Sequence, residues 1–235
     1  MSKKDKSLIN KILPIECSDK NFMESWTPDR DVMNFPWSFR WSLVGNPGSG
    51  KSTIIKNHII RANPPYEKVI VCHYDAEGTT EFDDCGDVEY IDKIPDPKKI
   101  NPGKVKMLLI IEDMNLATLP KQDKENLNRL FGYASSHRGV SIAITAQNPT
   151  DINVSARRMC NIFTIWKIPD LNGLMLMASR TGYKKDDFVQ FFGMCKNRHD
   201  NITIDLTDQS PMDLRFNMFH QIKQKEDTDD DEENK

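Results

Sequence analysis

From Phe35 onward, short runs of aliphatic and β-branched residues alternate with longer stretches in which apolar positions recur every three or four residues. A short apolar run bounded by turn formers reads as a strand, and the three-four spacing reads as one face of a helix. The runs predict strands over 39–44, 68–73, 88–91, 107–111, 141–146, 162–167 and 202–206. Helices are predicted over 51–62, 121–136, 171–180 and 186–195, with Leu127, Leu130, Phe131 and Ala134 marking the apolar stripe of the second. Pro64-Pro65 stops the first helix, and the proline-rich stretch 95–102 is a loop before the next core strand. Strands alternating with helices define an α/β domain, a central, mostly parallel sheet covered by helices on both faces. On this reading 35–223 is the domain. An arm, 1–34, precedes it and offers Phe22, Met23 and Trp26 for packing, while 224–235 is an acidic disordered tail.

Composition changes this picture little. At 235 residues, 38% hydrophobic and 29% charged, the chain is long enough for one α/β domain with a sizeable core. The start has no apolar segment followed by a small-residue cleavage site, and no later run is long enough to cross a bilayer, so the chain is expected to be neither secreted nor inserted in a membrane. Cys17, Cys72, Cys85, Cys160 and Cys195 are odd in number, widely spaced and without the close His or Cys of a metal knuckle. They read as plain thiols in a reducing compartment. The net charge of −3 hides an asymmetry, with Lys3, Lys4 and Lys6 opening the chain and an acidic run, 227–233, near its end.

Candidate chemistry begins at Gly45-Asn46-Pro47-Gly48-Ser49-Gly50-Lys51-Ser52, which fits the phosphate-loop pattern G-x-x-x-x-G-K-[ST] without a mismatch. The motif needs a strand before it and a helix after it, and both are predicted here. Glycines let successive backbone N–H groups turn inward as an anion nest at the positive end of a helix. Lys51 would reach the outer phosphates of ATP, the Ser52 hydroxyl would ligate Mg2+, and Thr53 follows on the first helical turn.

A second half of the site is expected where Leu108-Leu109-Ile110-Ile111 runs into Glu112-Asp113. Four apolar β-formers make a strand buried on both faces, and carboxylates at its carboxyl end project into the crevice where ligands of open α/β sheets bind. One carboxylate of such a pair holds magnesium and the other polarises the attacking water. The usual order is Asp then Glu; here it is reversed, and by position Glu112 is assigned to the metal and Asp113 to the water. Gln147, just past the strand 141–146, either holds water or senses the γ-phosphate, or else caps a turn. Arg138 and the pair Arg157-Arg158 are the arginines that could stabilise charge in phosphoryl transfer from a neighbouring subunit.

The phosphate loop, the acid-tipped strand and the stretch Ser135-Ser136-His137-Arg138-Gly139-Val140-Ser141-Ile142-Ala143-Ile144-Thr145-Ala146-Gln147-Asn148-Pro149 together resemble the FtsK/HerA superfamily of DNA-pumping ATPases. Within it, the lead-in from Phe35-Pro36 to Arg40 and the segments Asn201-Ile202-Thr203-Ile204-Asp205-Leu206 and Leu214-Arg215-Phe216 resemble the genome-packaging ATPases of large DNA viruses and virophages, related to the poxvirus enzyme. The resemblance covers 35–219, and its His-Arg-Gly to Gln part is the more specific. It implies a RecA-like (ASCE-type) sheet with an extra strand between the two nucleotide motifs, ATP and Mg2+ as cofactors, and a ring of subunits, pentameric or hexameric, around double-stranded DNA. It further implies a capsid or portal protein as partner, a location in the virion or the virus factory of the host-cell cytoplasm, and Arg138 as the arginine donated in trans.

Two other readings have distinguishing marks. A small-molecule kinase would carry a mobile lid with several arginines, and here Arg157-Arg158 is the only tight cluster. A plasmid- or cell-encoded DNA-transfer ATPase of the same superfamily would more often bring membrane or accessory domains. Lys104, Lys106, Lys121, Lys124, Lys184 and Lys185 are the candidates for sequence-independent phosphate contact along a pore, or else ordinary solvated lysines.

Overall fold

The computed structural model describes residues 30, 35–100, 102–103, 105–207, 210 and 213–222. The expected arm, except Arg30, and the expected acidic tail lie outside the described residues, as do Cys17 and Lys104.

The strands are β1 (Arg40–Val44), β2 (Lys68–Cys72), β3 (Val88–Ile91), β4 (Met107–Ile111), β5 (Val140–Ala146), β6 (Ile162–Trp166), β7 (Asn201–Asp205), β8 (Leu214–Phe216) and β9 (His220–Gln221). All belong to one sheet, in the order β3-β2-β4-β5-β1-β6-β7-β8-β9. The six strands from β3 to β6 are mutually parallel, and β7, β8 and β9 add an antiparallel wing. The acid-tipped β4 is separated from the phosphate-loop strand β1 by β5, which pairs with both. This is the intervening strand that the resemblance implies. The fold class is therefore the expected one.

Helices are α1 (Lys51–Arg61), α2 (Lys121–Arg129), α3 (Ser135–Arg138), α4 (Val154–Met159), α5 (Leu171–Thr181) and α6 (Lys185–Met194). A π-helical turn, Leu130–Ala134, joins α2 to α3, so the single helix expected over 121–136 is one rod with a widened turn inside it. The seven expected strands are present, each within a residue or so of its reading. Two elements were not anticipated: the short α4, and the β8–β9 hairpin at the end of the wing.

The alternation of side chains along each strand divides the core into two layers. Leu108 and Ile110 of β4 face Ile55 and Ile59 of α1, together with Phe35, Phe39, Trp41 and Phe82. Leu109 and Ile111 face the opposite layer, built from Leu127, Leu130 and Phe131 of the α2 rod, Leu174 and Met177 of α5, and Phe188 and Phe192 of α6. Every residue of β4 is buried, as a run of unbroken apolar residues requires. Each such side chain contributes about 1.5–3 kcal/mol by leaving water, which holds rigid the strand ends that carry the polar residues described next.

The wing is tied by a buried carboxylate. Asp205 at the end of β7 accepts from Arg215 of β8 at 2.8 Å, from Arg30 at 3.1 Å and from Ser210 at 2.8 Å. Four of the cysteines, Cys72, Cys85, Cys160 and Cys195, are unpaired thiols, and burial pushes Cys72 and Cys160 up to about 12.

Candidate active site

The phosphate loop leaves the sheet between two parallel strands. The Gly45 N–H donates to Ala146 O at 3.1 Å, which seats the start of the loop beside the end of β5. Gly50 has φ +104°, a left-handed conformation that an L side chain resists, and it turns the chain into α1. The first turn of α1 holds no acidic residue. Its positive end is therefore left for an external anion. Lys51 is buried, and its ammonium donates to Gly45 O at 2.8 Å and Asn46 O at 3.1 Å. Burial holds Lys51 below its ordinary range, and the charges of Asp113 and then Glu112 oppose that shift. Ser49 Oγ is buried with no hydrogen-bond partner among the described residues. An unmet buried hydroxyl costs about 1–3 kcal/mol, and an oxyanion in the loop would satisfy it. Thr53 is exposed on the same helical turn.

The acidic strand end meets this loop directly. The Ser52 hydroxyl donates to Glu112 Oε1 at 2.5 Å. Glu112 is buried, and desolvation pushes its carboxyl above the ordinary carboxylate range; the Ser52 hydrogen bond pulls the other way, and the nearby negative charges of Asp113 and Glu81 push further up. A buried carboxylate touching a hydroxyl, with like charges close by, is a pair of hard oxygen ligands suited to a small divalent cation. Among the described residues no cluster of three or more His, Cys, Asp or Glu could enclose a metal alone. The donor set thus fits Mg2+, which keeps waters and takes its remaining ligands from a phosphate. Asp113 differs from its neighbour. It is exposed, its backbone has φ +51°, and its N–H donates to Thr145 Oγ1 of β5 at 3.3 Å. A left-handed non-glycine residue is uncommon and costs of order 1 kcal/mol, and here it ends β4 abruptly so that successive carboxylates lie in different environments. The structure brings Lys51, Ser52, Glu112 and Asp113 together.

Gln147 follows Ala146 at the end of β5, beside Gly45 and between the ends of β1 and β4. Capping of the next turn is performed by its neighbour: Asn148 and Asp151 form a reciprocal capping box around the turn Pro149–Asp151. Gln147 is exposed, with no hydrogen bond from its amide among the described residues.

The arginines singled out in the sequence lie elsewhere. Arg138 precedes β5, at the end of the sheet opposite the phosphate loop. Its guanidinium donates to Pro97 O at 2.7 Å and Ile100 O at 2.6 Å and lies over the Tyr133 ring. Through Nη1 it ties Pro97 and Ile100 to the end of the α2 rod, while Nη2 and Nε make no hydrogen bond among the described residues. Arg157 is buried and donates to the carbonyls of Pro149 and Ile152, while Arg158 is exposed. Of the lysines, Lys106 is buried against Pro64 O and the Tyr66 ring and so is not a solvent-facing contact.

Sequence reasoning missed residues that reach the loop from the turn before β7 and from the end of β6. Arg198 Nη2 donates to Pro47 O at 2.8 Å, and His199 Nδ1 lies 3.1 Å from Ser49 O. Trp166 at the end of β6 packs where a side chain on Gly45 would stand, and its Nε1 donates to His199 O at 3.2 Å. No local pattern announces these contacts, because about 150 residues of chain separate the partners.

This arrangement, a phosphate loop and an acid-tipped strand on a RecA-like sheet with an intervening strand, defines a P-loop nucleotide-binding fold. Solved structures share it. The genome packaging NTPase B204 from Sulfolobus turreted icosahedral virus 2, in complex with AMPPCP, aligns with a TM-score of 0.56 and 15% identity over 76% of this chain and 96% of that one. B204, the DNA-packaging ATPase from Sulfolobus turreted icosahedral virus, aligns with a TM-score of 0.57 and 14% identity over 75% of this chain and 95% of that one. At these identities the likeness is one of fold. No family model matches the chain, and no curated protein matches it.

Proposed function

We propose that this chain is an ATP-hydrolysing motor of the FtsK/HerA type that translocates double-stranded DNA, and that it packages a viral genome into a capsid. The observation that carries the ATPase part is the 2.5 Å contact of Ser52 with Glu112 beside Lys51 and Asp113, which joins the two halves of a hydrolytic phosphate site. Inward N–H groups of the loop and Lys51 bind and orient the β- and γ-phosphates. Ser52 and Glu112 hold Mg2+, which when bound neutralises charge on the phosphate oxygens. Asp113, exposed at the mouth of the site, orients the attacking water and accepts its proton, and Gln147, with a free amide between the two strand ends, positions that water or reads the γ-phosphate.

The step from ATPase to DNA motor is supported by the superfamily resemblance around 135–149 and by the fold shared with a packaging NTPase. On this reading subunits form a ring around the duplex and dock on a capsid or portal protein, in the virion or the virus factory. Exposed lysines such as Lys121, Lys184 and Lys185 offer phosphate contacts that need no base sequence.

The test is ATP turnover by the purified chain with and without duplex DNA, alongside its native mass. Turnover that rises with duplex DNA in an oligomer, and is abolished in Lys51→Ala, is the expected result. Hydrolysis indifferent to duplex DNA across a salt series would remove the motor and leave only an NTPase.

A further inference from the structure

The segment 196–200, between α6 and β7, is more tightly built than a connecting loop requires. Asp200 is buried, and its carboxylate accepts from the backbone N–H groups of Lys196 and Asn197 at 2.8 Å each, and from the amides of Asn197 and Asn217 at 3.3 and 3.2 Å. The carbonyl of His199 accepts from Trp166 Nε1 and Asn201 Nδ2, both at 3.2 Å. So many bonds fix the turn, and the turn presents one long cationic side chain to the phosphate loop.

That side chain is Arg198. Lys51 occupies the carbonyls of Gly45 and Asn46, and Arg198 occupies the next one, Pro47 O. Two cations therefore grip three successive carbonyls in the first half of the loop, and one of them is the lysine that meets the β- and γ-phosphates. Gly48 has φ +68°, and a Cβ there would fall 2.2 Å from Arg198 Nη2. The left-handed backbone alone favours glycine at 48, and the absent Cβ leaves room for the guanidinium to lie against the loop. A guanidinium has five N–H donors. Only the bond to Pro47 O engages Arg198 among the described residues, and the side chain is exposed.

The geometry points to Arg198 as a further residue of the nucleotide site: an arginine supplied in cis that contacts the γ-phosphate of a bound nucleoside triphosphate, while His199 braces the loop through Ser49 O. Resting on the nucleotide-site reading above, this assigns the triphosphate-sensing cation to the same subunit as the phosphate loop. The guanidinium fork matches a phosphate's oxygens, and its charge stabilises the transferring group without a proton changing hands. Asp200 acts through Arg198 and is a positioning residue.

Binding of ATPγS and of ADP to the full chain, with turnover, tests this on Arg198→Ala and Arg198→Lys. The wild type is measured first: if it binds neither nucleotide, the nucleotide-site reading fails and takes this inference with it. If it binds both, Arg198→Ala should weaken ATPγS by about tenfold or more, ADP by less than about threefold, and turnover by about 100-fold or more, as for arginines that contact a transferring phosphate. Arg198→Lys should fall between the two, because it keeps the charge and loses the fork. Mixing Arg198→Ala with Lys51→Ala subunits should restore nothing, since no subunit then holds both groups. Restoration on mixing would overturn the cis assignment. Equal weakening of ADP and ATPγS would reduce Arg198 to a brace of the loop, and wild-type values in Arg198→Ala would overturn the inference while leaving the nucleotide site intact.

Discussion

Replacing Glu112 by Gln keeps the shape of the side chain and removes its charge, so it separates the metal-holding role from the fold. In the nucleotide-free chain two effects oppose each other. The Ser52 hydroxyl, 2.5 Å from Oε1, would donate to a neutral oxygen in place of a carboxylate, a loss of about 1 kcal/mol. Burial holds the Glu112 carboxyl above its ordinary range, so at neutral pH the charged form carries a desolvation cost that Gln escapes. The two are of the same order, and Tm should move by less than about 3 °C in a domain of this size. With nucleotide and Mg2+ the balance changes, because a charged contact worth about 1.5–3 kcal/mol is lost. Saturating the wild type at about a thousand times Kd stabilises it by about 4 kcal/mol, or about 8–16 °C in Tm. The variant should keep about a quarter to two-thirds of that shift. Thermal unfolding with ADP or ATPγS, in Mg2+ and in EDTA, reads the difference. If Glu112→Gln keeps the full Mg2+-dependent shift while Asp113→Asn loses it, the two carboxylates exchange roles; if both keep it, the Ser52–Glu112 pair is not the metal site.

Asp113→Asn should bind ATPγS and Mg2+ as the wild type does and lose turnover by about 100-fold or more, the usual contribution of a positioned base; single-turnover kinetics decide it, and near-normal hydrolysis would remove Asp113 from the chemistry. Arg138→Ala should lower Tm by several degrees, since two hydrogen bonds from a charged group are worth about 1.5–3 kcal/mol each before solvent screening. Mixing it with Lys51→Ala subunits asks separately whether the arginine also acts across a boundary: recovered turnover would assign it the trans role, and unchanged turnover in Arg138→Ala alone would exclude it. His58 is buried among Phe35, Phe39, Trp41 and Tyr66, and desolvation lowers it to about 3 from 6.5. The unfolded chain therefore binds a proton that the folded chain refuses between those values. This contribution to stability is present above about pH 6.5 and is lost, at about 1.4 kcal/mol per pH unit, as pH falls toward 3. Denaturant unfolding from pH 7 to 4 should show a shallower loss in His58→Phe than in the wild type, and equal slopes would sink the assignment.

The central strand β4 was legible because burial on both faces writes itself as an unbroken apolar run, Leu108-Leu109-Ile110-Ile111, and the edge strand β3 because Val88, Tyr90 and Ile91 are β-formers although none of its residues is buried. The phosphate loop and the acids were legible because their chemistry is local. What escaped had no local signature. The β8–β9 strands are three and two residues long, and Arg215 in β8 is a charged residue whose burial follows from a partner on another strand. The α4 helix is only six residues, too short for periodicity to show. The placement of Lys106 in the core and of Arg198 over the loop are tertiary facts. Hydrophobic patterning reports that a position is buried or exposed, and it says nothing of what a long polar side chain will find when the chain closes.

The strand between the loop and the acids limits how such a site can move. β5 is hydrogen-bonded along its length to β1 on one side and β4 on the other, and all of its residues are buried. Ser52 and Glu112 therefore hang from one stiff slab, and sliding one against the other would rupture a fully buried ladder. The parts of the site not built into that slab are attached to its edge: the turn after Asp113, the turn after Gln147, and the segment 196–200. Of these, the last is joined to the antiparallel wing through Asp200 and Asn217. The wing is thus joined to the phosphate loop through that segment, while the six parallel strands hold the rest of the site fixed.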